Sequence, residues 1–402
     1  MRTRTQTFVA LIVVAAGLLL AAILGLFAYL SVTATPLHPD PKTAPSVVQT
    51  APPPQWAAAA ERSRQLARTT LAEQNLPGLS VAVGINGEII WSEGFGWADL
   101  ENRVPAAPRT RFRTGEVSMA LTSAAVGLLL QNDKLNLDDE VQTYVPEFPR
   151  KNWPVTLRQL MGHLAGVISD AGDEAPLGER CDRTIDGLRL DNFAERSLLF
   201  EPGTAFRPST YGWILVSAAI EAAAGERFFT FMRAQVFDPL GMADTMPDAA
   251  AEDVADRATF YFPRFAGDNR YGPELAREGD HSCYAGGGAF LSTAPDLVRF
   301  GMAIGRGTLL QAATVTTLQT PQRLASGEET KYGLGWSLET VRLAGEATRM
   351  AGHGSKSDFV GGAPYLATFP ERGIVVAVMT NTSFADTKSV ALGIADAFAE
   401  RR

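Results

Sequence analysis

Apolar positions dominate one unbroken stretch near the start of the chain. Phe8–Ser31 holds no charged residue, and Arg2 and Arg4 precede it. As a helix its 24 residues span roughly 36 Å, enough to cross a bilayer. It is longer than the apolar core of a secretory signal peptide. The expectation is a signal anchor over 8–31. The preceding positive residues put 1–7 in the cytoplasm and the rest outside, on the periplasmic face of the inner (plasma) membrane. The next stretch, 32–56, is rich in proline, with Pro52-Pro53-Pro54 in a row. Such composition predicts an extended spacer that holds a domain off the membrane. The globular part is then 57–402.

Inside it the pattern changes period several times. Leu79–Ile85 and Glu88–Ser92 are apolar runs around Asn86-Gly87, a pair that tolerates positive φ and so signals a hairpin. Tyr365–Phe369 and Ile374–Met379 form a second hairpin around Pro370-Glu371-Arg372-Gly373, and Phe384–Glu400 reads as a closing helix. Between them, about 120–280 is mostly helical in pattern, with helices over Ala120–Gln131, Leu157–Leu164, Tyr211–Ala224 and Phe228–Val236. Hairpins at both ends and helices between imply an α/β fold. One antiparallel sheet is built from the two ends of the domain and flanked by helices, beside a mostly helical subdomain. Ala120–Leu130 is apolar nearly all round, which predicts a helix buried on every side. Its N-terminus, with four outward N–H groups and a partial positive charge, then lies inside the domain. This makes Glu116 a position of chemical interest.

Composition narrows the classes. A net charge of −8 leaves no basic footprint, which excludes nucleic acid as a partner. The four histidines and two cysteines carry no CxxC or HExxH spacing, so neither a metal nor a cofactor is expected. Cys181 and Cys283 are either a disulfide or two buried thiols; the residues alone leave both open. Lysine is scarce: Lys42, Lys134, Lys151, Lys331, Lys356 and Lys388. That limits which lysine can act as a base.

Several tracts, taken in order, resemble the serine β-lactamase and penicillin-binding-protein family, and within it the class C β-lactamases and their esterase relatives. They are GFGWADLENRVPAAPRTRFRTG (94–115), KLNLDDEVQTYVPEFP (134–149), VTLRQLMGHLAGV (155–167), FEPGTAFRPSTYGW (200–213), VFDPLGM (236–242), AGGGAFLSTAPDLVRFG (285–301), YGLGW (332–336) and GIVVAVMTN (373–381). The resemblance implies three motifs. A serine and a lysine three residues later open the central helix, a tyrosine shares their acid–base work, and an H-x-G or K-T-G strand lines the cleft.

Here the first motif falls on Glu116-Val117-Ser118-Met119. Glu116 takes the serine position and Met119 the lysine position. No serine in the chain is followed three residues later by lysine. The second falls on Pro208-Ser209-Thr210, with Pro208 at the tyrosine position. The third falls on His353-Gly354-Ser355, where the histidine survives and Ser355 replaces the final glycine.

A serine nucleophile needs a base or a lowered pKa, and losing members of such a unit removes most of its rate. The expected protein is therefore a catalytically inactive or repurposed homologue. Its cleft takes a peptide-like, β-lactam-like or ester ligand, or it engages a protein partner or a second copy of itself. The alternative is a hydrolase built from rearranged residues: Glu116 with His353 as general base, or Ser355 as a displaced nucleophile beside His353. The plainer reading of Glu116 is a carboxylate favoured by the helix dipole and filling the anion site itself. For His163, inside the helical tract, and His281, before the glycine tract, the plainer readings are structural hydrogen bonding.

Overall fold

The computed structural model describes residues 4–169, 181, 183–184, 186, 193–249, 254–276, 279–354 and 361–400. Helix α1 (Arg4–Thr33) precedes strand β1 (Ser46–Thr50) and α2 (Ala57–Glu73). The hairpin of β2 (Gly78–Ile85) and β3 (Glu88–Asp99) leads through β4 (Val104–Pro105) and β5 (Phe112–Arg113) to α3 (Val117–Gln131). Helices α4 (Leu157–Met161), α5 (Thr210–Ala224) and α6 (Phe228–Phe231) follow. Next come β6 (Met246–Pro247), β7 (Tyr261–Pro263), β8 (Pro273–Leu275) and β9 (Phe290–Ser292). The chain returns through α7 (Ala294–Arg306) and α8 (Ala312–Leu318) to β10 (Ser337–Leu343), β11 (Glu346–Gly354), β12 (Tyr365–Phe369) and β13 (Ile374–Thr380), and ends on α9 (Thr387–Ala399).

The main sheet runs β1-β3-β2-β13-β12-β11-β10, antiparallel throughout, so strands from the two ends of the domain meet at the β2–β13 pair. Asn86 (φ 52°) and Gly87 (φ 98°) turn the first hairpin as expected from positive-φ residues. Both faces of the sheet are covered, so β2 and β13 are buried along their whole length. Alternate residues divide between two cores. Val81, Val83, Val376 and Val378 face α2 and α9, while Ala82, Val375, Ala377 and Met379 join the core around α3, α5 and α7. Helix α3 is enclosed almost all round, as its lack of a polar face requires.

Three expectations change. The proline-rich stretch 32–56 is not a free spacer. Ser46–Thr50 pairs with β3 as an edge strand, and Arg68 gathers the carbonyls of Pro41, Lys42 and Ala44. His38 is buried against the carbonyls of Leu76 and Pro77. The segment is a strap fastened to the domain, because its carbonyls and N–H groups find fixed partners there. Helix α4 stops at Met161 rather than Leu164. Gly162 and a left-handed His163 (φ 59°) end it. The tract after α6 continues as a π-turn, Met232–Phe237, and the region 120–280 also contains the short strands β6 to β8. Cys181 and Cys283, left open by the sequence, are joined as a disulfide.

Candidate active-site cleft

The cleft forms where α3 begins. Phe112 and Arg113 pair with β9, Gly115 (φ 44°) turns the chain, and Glu116 sits at the N-cap of α3. The first helix amides are already taken: Val117, Ser118 and Met119 donate to the carbonyls of Thr114, Gly115 and Glu116. The Glu116 side chain makes no capping bond. It is therefore not a side-chain cap of α3. It turns instead into a cavity of ≈ 210 Å³ lined also by His163, Phe206, Pro208, Tyr332, Ser337, Glu339, His353, Gly354, Tyr365 and Lys388.

Of the positions singled out in the sequence, Glu116, Pro208 and His353 meet in this cavity. Met119 lies beneath it, 1% exposed, with its sulfur 4.0 Å from the Tyr332 hydroxyl. Thr210 is directed elsewhere, against Gly287, where an added Cβ would come within 2.8 Å of it. Ser209 between them caps α5, accepting the Gly212 N–H at 3.1 Å. Ser118, the one serine left in the first motif, is fully buried and bonded to Thr114 at 2.7 Å, away from the cavity. Ser355 lies outside the described residues.

The centre of the cleft belongs to a residue that no motif named. Tyr332 places its hydroxyl 2.7 Å from His353 Nε2 and its ring 4.8 Å from that of His163. Phe206 closes the other side of the phenol at 5.7 Å. Burial raises the Tyr332 hydroxyl well above its ordinary pKa, and the Glu116 charge pushes the same way. Burial lowers His353 to about 4, against the opposing pull of the Gly354 backbone. Burial, with His353 adding to it, lowers His163 to about 3. His163 Nδ1 accepts the Ser209 N–H at 3.2 Å, so the neutral ring carries its proton on Nε2. Near neutral pH all three rings are uncharged.

Besides Glu116, the cavity is lined by two charged residues among those described. Lys388, from α9, binds both oxygens of Glu339 at 2.6 and 2.8 Å. The Tyr365 hydroxyl is buried beside them without a hydrogen-bond partner, and burial raises it above its ordinary range. Ser337 lines the cavity too, but no hydrogen bond joins its hydroxyl to a base among the described residues. A general base works best with a pKa near the operating pH. The two cleft imidazoles lie well below that range. No group of His, Cys, Asp and Glu with metal-binding geometry occurs among the described residues.

His281 also departs from its expected role. Asp280 accepts the Ser282 N–H, but both ring nitrogens of His281 are buried with no hydrogen-bond partner. Burial lowers its pKa to about 3.

The sheet, the enclosed helix and the cleft at its N-terminus define a β-lactamase/transpeptidase-like fold. The chain belongs to the Beta-lactamase family, whose profile matches residues 63–399. It is 28% identical over 464 aligned residues to the mitochondrial serine beta-lactamase-like protein LACTB of Homo sapiens, covering 89% of this chain and 84% of the relative. Among solved structures it superposes on the octameric penicillin-binding protein homologue from Pyrococcus abyssi, with TM-score 0.68 and 23% identity over 83% of this chain and 76% of that one. It also superposes on EstCE1, a hydrolase with promiscuous acyltransferase activity, with TM-score 0.69 and 24% identity over 85% and 99% of the two chains.

Proposed function

We propose that this chain is a membrane-anchored member of the family whose cleft binds rather than hydrolyses. The observation that carries this is the Tyr332–His353 hydrogen bond above Met119, in the place where a lysine and a tyrosine would exchange protons. Every ring in that network is neutral and held so by burial. Glu116 brings a carboxylate, not a hydroxyl, to the nucleophile position at the start of α3. The rearranged-hydrolase alternative needs His353 as a general base, and its Nε2 is committed to Tyr332.

The ligand is peptide-like, or an ester or β-lactam-like molecule of similar shape. A cavity of ≈ 210 Å³ falls below the range of about 300–1,000 Å³ usual for whole small-molecule sites. It suits one side chain or acyl group of a longer ligand. Helix α1 is apolar and long enough to span a bilayer over Leu11–Thr33. Its flanking arginines favour an inner-membrane anchor with the domain on the periplasmic side.

Covalent labelling tests the reading. The full chain is exposed to a fluorescent penicillin and a fluorophosphonate, and assayed with nitrocefin and p-nitrophenyl esters. No label and no turnover are expected. Stable labelling at any serine would end the binding-only reading. Combining Glu116→Ser, Met119→Lys and Pro208→Tyr is expected to restore labelling at position 116.

A further inference from the structure

The anchor helix does not leave the domain through a free tether. Its last turns touch the domain directly. The Phe27 ring meets Phe265 edge-on at 5.3 Å and lies 6.3 Å from Tyr271, and Phe265 and Tyr271 are 5.9 Å apart. Arg264 reaches Thr33 at the end of the helix and also holds the Tyr271 carbonyl, at 2.7 Å. The three aromatic rings form one cluster shared by the helix and the loop between β7 and β8.

That loop is fixed to the body. Asn269 donates to the Ser383 carbonyl at 2.8 Å and accepts from Thr382 at 2.8 Å. Gly267 (φ 64°) lies over the Phe384 ring, where an added Cβ would come within 3.2 Å. Asn75 ties the chain leaving α1 to the same place, taking the Leu37 N–H at 2.7 Å and donating to the carbonyls of Thr35 and Asn269. Helix end, strap and loop are one connected unit.

Depth follows from length. Phe8 to Phe27 is 20 residues, roughly 30 Å of helix, which fills the hydrocarbon core of a bilayer. The apolar helix runs on to Thr33; with Phe8 at the inner boundary, close to Arg4, Phe27 reaches the outer one, and a ring touching it stands at nearly the same level. Aromatic side chains favour that boundary. Two further features fit a lipid surface. Leu275, on β8, is 56% exposed, and the Arg270 side chain, paired with Asp268, is 75% exposed.

We propose that the loop Arg264–Tyr271 is a membrane-interface contact. Phe265 and Tyr271 sit among phospholipid headgroups beside Phe27, and Arg270 faces the phosphates. This inference rests on α1 being an inserted anchor. It adds that the domain is held at one attitude on the bilayer, where a plain tether would leave it free to turn.

The test uses the full chain in vesicles of phosphatidylcholine and phosphatidylglycerol. Both native cysteines are in the disulfide, so a single introduced cysteine carries an NBD fluorophore. Arg270→Cys reports the loop, Leu18→Cys the span, and Glu328→Cys an exposed position on the separate segment between α8 and β10. Nitroxide lipids labelled near the headgroup or near the chain end serve as quenchers. At position 270, fluorescence should be lost to the headgroup nitroxide more than to the chain-end nitroxide. Position 328 should be unaffected. Phe265→Ser combined with Tyr271→Ser should reduce the loss at 270 while leaving that at 18 unchanged. Quenching at 18 without quenching at 270 overturns the loop contact and leaves the anchor standing. Absence of quenching at both overturns the anchor and the loop contact together. Unchanged quenching at 270 in the double-serine variant overturns the aromatic part of the proposal.

Discussion

Two polar clusters lie inside this domain, and they are built differently. Behind the cleft, Asp248 is 1% exposed and receives Arg113 at 2.6 Å on one oxygen and Arg257 at 2.8 Å on the other. Both guanidinium groups lie over the Phe260 ring, at 4.1 and 5.1 Å. Burial alone would raise the Asp248 carboxyl; the charges of Arg113 and Arg257, with the Arg113 hydrogen bond, outweigh it and hold the carboxyl below its ordinary value. In the cleft the buried groups are two imidazoles and a phenol, all neutral, with a cavity beside them. The first cluster spends charge on shape. It fixes β5, from which the chain turns into α3. The second keeps that turn's outline around the hydrogen-bonded Tyr332 and His353 rings. A buried ion pair in the frame and a neutral ring network in the cleft accord with the binding-only cleft proposed above.

The sharpest way to break this contrast is to remove the carboxylate. Asp248→Ala leaves two guanidinium groups without their shared partner, one of them almost fully buried. Breaking such a pair typically costs about 3–5 kcal/mol. Urea denaturation of the domain should show a loss of that order. A loss below about 1 kcal/mol, the usual ceiling for an exposed pair, would mean that the cluster is incidental.

Acid comes next. His281 and His163 are lowered to about 3 and His353 to about 4, against about 6.5 in an unfolded chain. Below pH 6.5 the unfolded state therefore binds protons that the folded state refuses. Stability is full above pH 6.5 and falls as the pH drops toward those folded values. Each histidine contributes up to about 1.4 kcal/mol per pH unit in that window. Asp248 adds nothing there, because its depressed carboxyl loses stability only below the ordinary carboxylate range. Thermal melts from pH 7 to pH 5 should fall steeply for the native chain. His281→Leu removes one histidine from the structural cluster and should flatten the fall by about one histidine's share. At pH 7 it should change little, since the ring nitrogens have no partners to lose. An unchanged slope would show that His281 takes up its proton without penalty.

How much of this was legible before the structure follows the range of the interactions. Asn86-Gly87 and the Pro370–Gly373 turn announce their hairpins because the decisive preference is local backbone geometry. The enclosure of α3 is readable from its uniform apolarity, and Glu116, Pro208 and His353 do converge. What escaped depends on distant partners. Proline-rich composition argued for a free spacer, yet Ser46–Thr50 finds its ladder on β3, whose residues 92–95 are far along the chain. Tyr332 stood in plain view in the YGLGW tract, but nothing local says that its ring reaches the N-terminus of α3. Lys388 was set apart by the scarcity of lysine, and only the docking of α9 beside β10 brings it to Glu339 on the rim.

The smallest perturbation tests the cleft side of the comparison. Tyr332→Phe keeps the ring between His163 and Phe206 and deletes only the hydroxyl. His353 Nε2 then loses its partner at 2.7 Å in a site that is 6% exposed. Leaving one buried polar atom unsatisfied costs about 1–3 kcal/mol, and the adjoining cavity lets water recover part of that. The loss in urea denaturation should therefore sit at the low end of the range and below that of Asp248→Ala. If the two variants cost the same, the cleft network is as structural as the ion cluster. The neutral rings would then be part of the frame, and ligand binding would have to rely on the rim of Glu339, Lys388 and Tyr365.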